Sequence, residues 1–263
     1  MKLDMHCHTK EGSSDSKVSI KKYIELLKAQ GFDGMLVTDH DSYGGYRYYE
    51  EHLDEMPDDF IVFKGIEYDT YEAGHFIVIM PDGVDLKVLE YRGMKLRELI
   101  KLVHKHGGII GPAHPCGEPF LSVYSTGKYR QEVMIADIAS RTDFLEGFNC
   151  GEDAWANEKA VWIGKKYGLP VIAGSDAHWG PCVGLAYTVL DEFPKNNNEL
   201  IEYFKRIRGN SELCNRIHIW GRPYPGTLKA RLGIWNKLLV YGFWPYNKFG
   251  AFRFKKLRES VAE

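Results

Sequence analysis

The chain has 263 residues, 44% hydrophobic and 27% charged, with a formal net charge of −2, which is the composition of a globular protein able to bury a barrel-sized core. It excludes collagen-like, disordered and helical membrane-spanning classes, because no window approaches the roughly 18 consecutive apolar residues that a bilayer requires. The five cysteines are scattered, odd in number and without CxxC spacing, and MKLDMHCHTK lacks a signal-peptide core, so a reducing cytoplasm is the expected compartment.

Residues 2–6 read as a short apolar strand. Ser19 reads as the N-cap of a helix over 20–30, with Ile20, Tyr23, Ile24 and Leu27 on one face. A buried strand over 32–38, a short helix over 46–53, and two strands over 60–68 and 74–80 around a turn come next. A helix over 93–106, strands over 108–113 and 144–149, and a helix over 153–167 follow. Strands over 170–174 and 185–190 and a helix over 199–208 close the body. This alternation, at roughly 30 residues per unit, predicts parallel strands with helical crossovers, nearer seven strands than eight. Gly- and Pro-containing stretches near 209–222 place a boundary, giving a barrel over 1–209 and an extension over 210–263.

Residues 216–263 carry ten Lys/Arg against two Asp/Glu, whereas the first 215 are acidic. Leu228, Leu232, Trp235, Leu239 and Phe243 share one face of a helix expected over 228–243, and Trp220, Tyr241, Trp244 and Phe249 are interleaved with the basic residues. Such a basic and aromatic extension suits a surface packed against the acidic body, or contact with an anionic partner, either nucleic acid or a membrane surface.

Nine candidate metal ligands recur in order: His6, His8, Asp15, His40, Glu67, His75, His114, Asp176 and His178. Most fall in or beside strand ends, and the carboxyl ends of barrel strands converge on one mouth. His6 and His8, two apart in extended backbone, point the same way and can share a cation while Cys7 faces the wall. Asp39, in Thr38-Asp39-His40, is expected to orient a ligand rather than to be one. Glu67 closes a strand in an apolar setting that calls for a cation partner. Pro115 is expected to hold His114 extended. Ser175-Asp176-Ala177-His178 repeats the two-residue spacing of the first motif. So many imidazoles and carboxylates could converge only around cations. The remaining histidines, His52, His104, His106 and His218, read as solvent-facing. With no Walker loop, GxSxG elbow or GxGxxG motif, the nucleophile is expected to be metal-bound water.

In these motifs the sequence resembles the PHP (polymerase and histidinol phosphatase) superfamily, and in particular its small metal-dependent phosphoesterases. The motifs are HxH after the first strand, T-D-H after the second, a lone Glu, G-x-x-H-P, and a closing S-D-x-H, all within residues 1–190. The resemblance implies an α/β fold, a distorted TIM-like (βα)7 barrel, with two or three divalent ions (Mn, Zn or Fe) at its mouth. It implies that His6, His8, Glu67 and Asp176 hold one metal, that Glu67 bridges to a second held by His75 and His114, and that Asp15, His40 and His178 hold a third. The pattern departs from the family at Asp15, which lies two residues late and is followed by Ser16 instead of Gly. The implied activity is hydrolysis of a small phosphomonoester, a nucleotide among the candidates, by a metal-bridging hydroxide. Glu67, Asp176 and His178 are the expected catalytic residues, and Arg47, Arg92 and Arg141, each read in a loop or at an element end near the mouth, are the candidates to anchor the phosphate. Histidinol-phosphate or protein-tyrosine phosphatase activity, amide hydrolysis and a non-catalytic metal-binding scaffold are the alternatives.

Overall fold

In the computed structural model, which describes residues 1–224, β1 (Lys2–Cys7) leads to α1 (Ile20–Lys28), β2 (Gly34–Val37), α2 (Gly44–Glu51) and β3 (Ile61–Asp69). β4 (His75–Ile79), α3 (Leu96–Lys105), β5 (Ile109–Pro112), α4 (Glu132–Arg141), β6 (Leu145–Asn149) and α5 (Ala154–Tyr167) follow. The described chain ends with β7 (Val171–Gly174), β8 (Ala186–Val189), α6 (Asn197–Ile207), α7 (Ser211–Cys214) and β9 (His218–Gly221). Local rules account for several boundaries. The Ser19 side chain accepts the Lys22 N–H at the start of α1, whose Ile20, Tyr23, Ile24 and Leu27 are buried as their spacing predicts. α5 ends on Gly168 in the left-handed conformation.

Seven strands form a sheet in the order β5-β4-β3-β2-β1-β8-β9, and β6 and β7 form a parallel pair. The sheet curls through half a barrel, and the β6–β7 pair spans the gap. On one side Asp143 N–H donates to the Ile110 carbonyl at 2.8 Å, and on the other Asp176 N–H donates to the His6 carbonyl at 2.8 Å. The α/β alternation is as expected, but the strands do not repeat as regular parallel βα units. β4 runs antiparallel to both β3 and β5, and β8 runs antiparallel to both β1 and β9. The cause is connection length: the turn between Asp69 and His75 is too short for a crossover and can only fold a hairpin. That reversal puts His75, the first residue of β4, at the carboxyl end of β3. The sheet also continues past residue 209, since β9 pairs with β8.

Leu3 and Met5 of β1 join Leu36, Phe63, Ile77, Ile109 and Ile172 in an interior cluster, while Cys7 packs outward with Tyr23 and Ile24 of α1. The register of β1 against β2 is irregular between Asp4 and Cys7. This bulge changes which residues face the lumen: Leu3 and Met5 fill it below, and His6 and His8 line it above. Asp4 is fully buried between β1 and β7, where it accepts the Ser175 N–H at 2.8 Å and the Ser175 hydroxyl at 2.5 Å; burial raises its pKa to about 6.

No helix among the described residues is long and apolar enough to cross a membrane. The helix expected over 228–243, and the basic, aromatic extension beyond Tyr224, lie outside the described residues.

The seam between β7 and β1 makes a test. A Cβ on Gly174 would sit 2.2 Å from the His6 Cβ and 2.5 Å from the His6 nitrogen. Gly174→Ala should therefore cost ~1–3 kcal/mol through overpacking, read as a lower urea midpoint. An unchanged midpoint would show that the two strands can separate at no cost.

Candidate metal centre

The nine candidate ligands meet at one end of the barrel, and Glu67 lies at their middle. Its Oε1 is 2.9 Å from His114 Nε2 and 3.0 Å from His75 Nδ1. Its Oε2 is 3.0 Å from His40 Nδ1, 3.3 Å from His8 Nε2 and 3.4 Å from His6 Nε2. Asp176 Oδ1 is 3.0 Å from His8 Nε2 and 3.5 Å from His6 Nε2. Asp15 Oδ2 lies 3.5 Å from His40 Nε2 and 3.3 Å from His178 Nε2. This third group is the open side of the site: the Asp15, His40 and His178 side chains are 46%, 22% and 21% exposed, against 0% for His6 and His8. Three trios have donor atoms all within 4.8 Å of one another, namely His8-His40-His178, His6-His8-Glu67 and His40-Glu67-His75. His8 and His40 thus stand between neighbouring groups.

Hydrogen bonds around the imidazoles decide which nitrogen carries a lone pair. His6 Nδ1 is 3.0 Å from the buried Glu146 Oε1, so Nδ1 holds the proton and Nε2 offers its lone pair. The Ser13 hydroxyl donates to Asp39 Oδ1 at 3.0 Å, so it accepts from His8 Nδ1 at 3.2 Å. His178 Nδ1 donates to the Asp176 carbonyl at 2.9 Å. The Nε2 lone pairs of His6, His8 and His178 are therefore turned toward carboxylates and, for His6 and His8, toward each other at 3.1 Å. Glu67 Oε2 is buried and has no hydrogen-bond donor. Lone pairs facing lone pairs in a buried site fit divalent cations, and the mixed imidazole–carboxylate donor set is one that such ions take.

With protons on the imidazoles in place of cations, the same groups balance the carboxylates. Burial disfavours charge on Glu67, but His6, His75 and His40 outweigh it and hold the carboxyl well below its usual range. Burial likewise opposes ionisation of Asp176, and His6, His8 and His178 reverse it. Burial works against a charged His114, yet the hydrogen bond and charge of Glu67 raise it to about 9.

Two of the candidate ligands sit on strained backbone. Asp176 has a φ of 52° and His114 a φ of 27°. The extended conformation expected for His114 ahead of Pro115 is therefore not what forms. Its N–H turns to donate to Glu146 Oε2 at 2.6 Å, and that buried carboxylate holds the residue left-handed.

The three candidate arginines part company. Arg92 NH2 is 3.0 Å from Asp41 Oδ2 and its NH1 is 3.5 Å from Asp69 Oδ2, with Asp69 Oδ1 3.9 Å from His75 Nε2. It thus reaches the edge of the cluster. Arg47 pairs with Glu90 at 2.7 Å. Arg141 pairs with Asp137 in the last turns of α4, ahead of β6, so the structure places it at the opposite end of the barrel. Asp39 is an orienting group as expected, accepting the Thr9 N–H and hydroxyl at 2.6 and 2.8 Å. Sequence reasoning passed over Glu146 and Asn149, whose Nδ2 donates to Asp176 Oδ2 at 3.0 Å. A buried carboxylate inside the apolar strand Phe-Leu-Glu-Gly-Phe was the available signal.

The PHP-associated family (PHP_C) matches residues 154–208. No protein of curated function matches the chain by sequence. Among solved structures, PsfC from Pseudomonas syringae is similar at a TM-score of 0.62 and 16% identity, covering 90% of this chain and 98% of that one. A protein assigned as a metal-dependent phosphoesterase from Bifidobacterium adolescentis gives 0.54 and 15%, covering 76% and 94%. An amidohydrolase from Chromobacterium violaceum, with bound sulfate, gives 0.57 and 14%, covering 80% and 99%. These likenesses are of fold. The family match makes residues 154–208 similar to PHP-associated proteins.

Proposed function

We propose that the protein is a metal-dependent phosphoesterase, of the small PHP type, that hydrolyses a small phosphomonoester, with nucleotides the first class to test. The observation that carries this reading is the shared Glu67 carboxylate, with imidazole nitrogens on both oxygens and no hydrogen-bond donor on Oε2. His6, His8, Asp176 and Glu67 would hold one ion, Glu67, His75 and His114 a second, and Asp15, His40 and His178 a third. Divalent ions such as Mn, Zn or Fe supply Lewis acidity and a nucleophile at neutral pH when held by such groups.

The chain's own residues do the rest. Glu146, Ser13 and the Asp176 carbonyl fix imidazole tautomers before any ligand arrives. Arg92 would bind a phosphate oxygen, a role supported by its closeness to His75 through Asp69. Where the third ion does not take its Nε2, His178, on the open side, is the group suited to hand a proton to the leaving oxygen: burial resists its protonation, and Asp15 overcomes that and raises its pKa. The sulfate in the Chromobacterium violaceum neighbour supports a site for a tetrahedral anion. All five cysteines are free and four are buried, which suits a cytoplasmic enzyme.

Phosphate release with added Mn²⁺ should be measured on nucleoside 3′,5′-bisphosphates, mononucleotides, histidinol phosphate and phosphotyrosine, with a phosphodiester and an amide alongside. Asp176→Asn should cut turnover by at least about 100-fold, the upper range for changes to groups that merely orient a ligand. Near-normal turnover in a folded Asp176→Asn protein would end the scheme, and release from the amide alone would replace phosphoester by amide chemistry.

Glu146→Gln removes the charge behind His6 while keeping its shape. Metal affinity should fall ~10–100-fold, measured by titrating stripped protein with Mn²⁺; an unchanged constant would remove Glu146 from the assembly.

The raised pKa of His114 sets a pH window. A group whose pKa rises on folding contributes stability that is fully present below its unfolded value and lost as pH passes the folded one. Metal-stripped protein should therefore lose melting temperature between about pH 6.5 and about 9. Metal-loaded protein should not, because the ion replaces the proton. Parallel curves with and without metal would contradict this.

A further inference from the structure

The carboxyl ends of β6 and β7 are clasped by a side chain from beyond β9. Tyr224 is only 8% exposed. Its N–H donates to the Cys150 carbonyl at 3.0 Å, one residue past β6. Its hydroxyl lies 2.8 Å from the Ser175 carbonyl and 2.5 Å from the Asp176 carbonyl, just past β7. The segment that carries it is fixed as well: β9 pairs with β8, and Arg222 N–H donates to the Leu185 carbonyl at 3.0 Å.

What Tyr224 holds is the strained part of the site. Asp176 is left-handed at φ 52°, a conformation that an L residue with a Cβ adopts only when its surroundings impose it. Its N–H is committed to the His6 carbonyl at 2.8 Å, and its Oδ2 to Asn149 Nδ2 at 3.0 Å. The Asp176 carbonyl points away from strand pairing and needs donors of its own. The Tyr224 hydroxyl and His178 Nδ1 provide them. With backbone and Oδ2 fastened, Oδ1 is left to face His8 and His6.

We propose that Tyr224 is a positioning residue for the metal centre: its hydroxyl locks the left-handed Asp176 peptide so that the Asp176 carboxylate is presented to the ion shared with His6 and His8. The inference rests on the metal-centre reading given above, and Tyr224 acts only through Asp176. It also makes the segment beyond residue 209 part of the working site.

The test is Tyr224→Phe in the full chain, which keeps the ring and removes the donor. Mn²⁺ affinity, measured calorimetrically on stripped protein, should fall ~10–100-fold at one site. The melting temperature of stripped protein should fall by no more than about 4 °C, the shift for one lost hydrogen bond. Turnover should drop with KM unchanged and recover in excess Mn²⁺. In an Asp176→Asn background, Tyr224→Phe should add no further loss of affinity, because the residue it acts through is already altered. Unchanged affinity, an additive loss in the double variant, or a collapse of stripped-protein stability would each overturn the proposal. Mn²⁺ binding is read without substrate, so a wild-type protein that binds metal but releases no phosphate would sink the phosphoesterase reading and leave this one standing.

Discussion

A carboxylate with five imidazoles around it, sealed from water at the end of a β-strand, governs this molecule. Glu67 is fully buried and so cannot rely on solvent to support its charge, and His6, His8 and His40 on one oxygen with His75 and His114 on the other must supply that support. Each of these partners comes from a different strand end, except the paired His6 and His8. The ends of β1 to β5 must therefore lie within a few ångströms of one another, and the barrel's curl is what brings them there. Either protons or metal ions can satisfy the arrangement, so the two would compete for the same groups.

Around this centre the structure spends polar side chains on orientation. Glu146 reaches two candidate ligands at once, His6 through Nδ1 and His114 through its backbone N–H. Ser13 joins Asp39 to His8 and also accepts the His40 N–H at 3.0 Å. Asp4 ties β1 to Ser175 and thereby sets where the next residue, Asp176, begins. The left-handed backbone at His114 and Asp176 is stable only because these buried hydrogen bonds over-determine it. Left-handed backbone at two of the candidate ligands, one braced by a carboxylate and one by a phenol, is the pattern of a pre-organised site rather than of a permissive loop.

Much of the fold was readable from the chain. The Ser19 cap and the apolar spacing at Ile20, Tyr23, Ile24 and Leu27 are local properties, and α1 forms as they dictate. The strand at Ile61–Asp69 and the turn after it were legible because alternation and a short connection leave few options. The converging side chains were legible for a different reason: HxH, a lone Glu and DxH recur at strand ends, and the carboxyl ends of barrel strands share one mouth. Arg141 was misplaced because a sequence shows that a residue ends an element but not which end of a barrel that element faces. His114 was misjudged because the local preference before proline was overruled by a carboxylate 32 residues away in sequence.

By itself the sequence determined the α/β alternation, the identity of the nine converging side chains and the chemistry their types allow, since these follow from spacing, propensity and donor atoms. Only the tertiary structure decided that β8 runs backwards, that a bulge in β1 turns His6 and His8 into the lumen, and that Glu146, Asn149 and Tyr224 reach the site. The physical reason is range. Periodicity and capping act over a few residues, whereas hydrogen bonds from Glu146 to His6 or from Tyr224 to Asp176 join positions 140 and 48 residues apart, and those appear only once the chain has closed on itself.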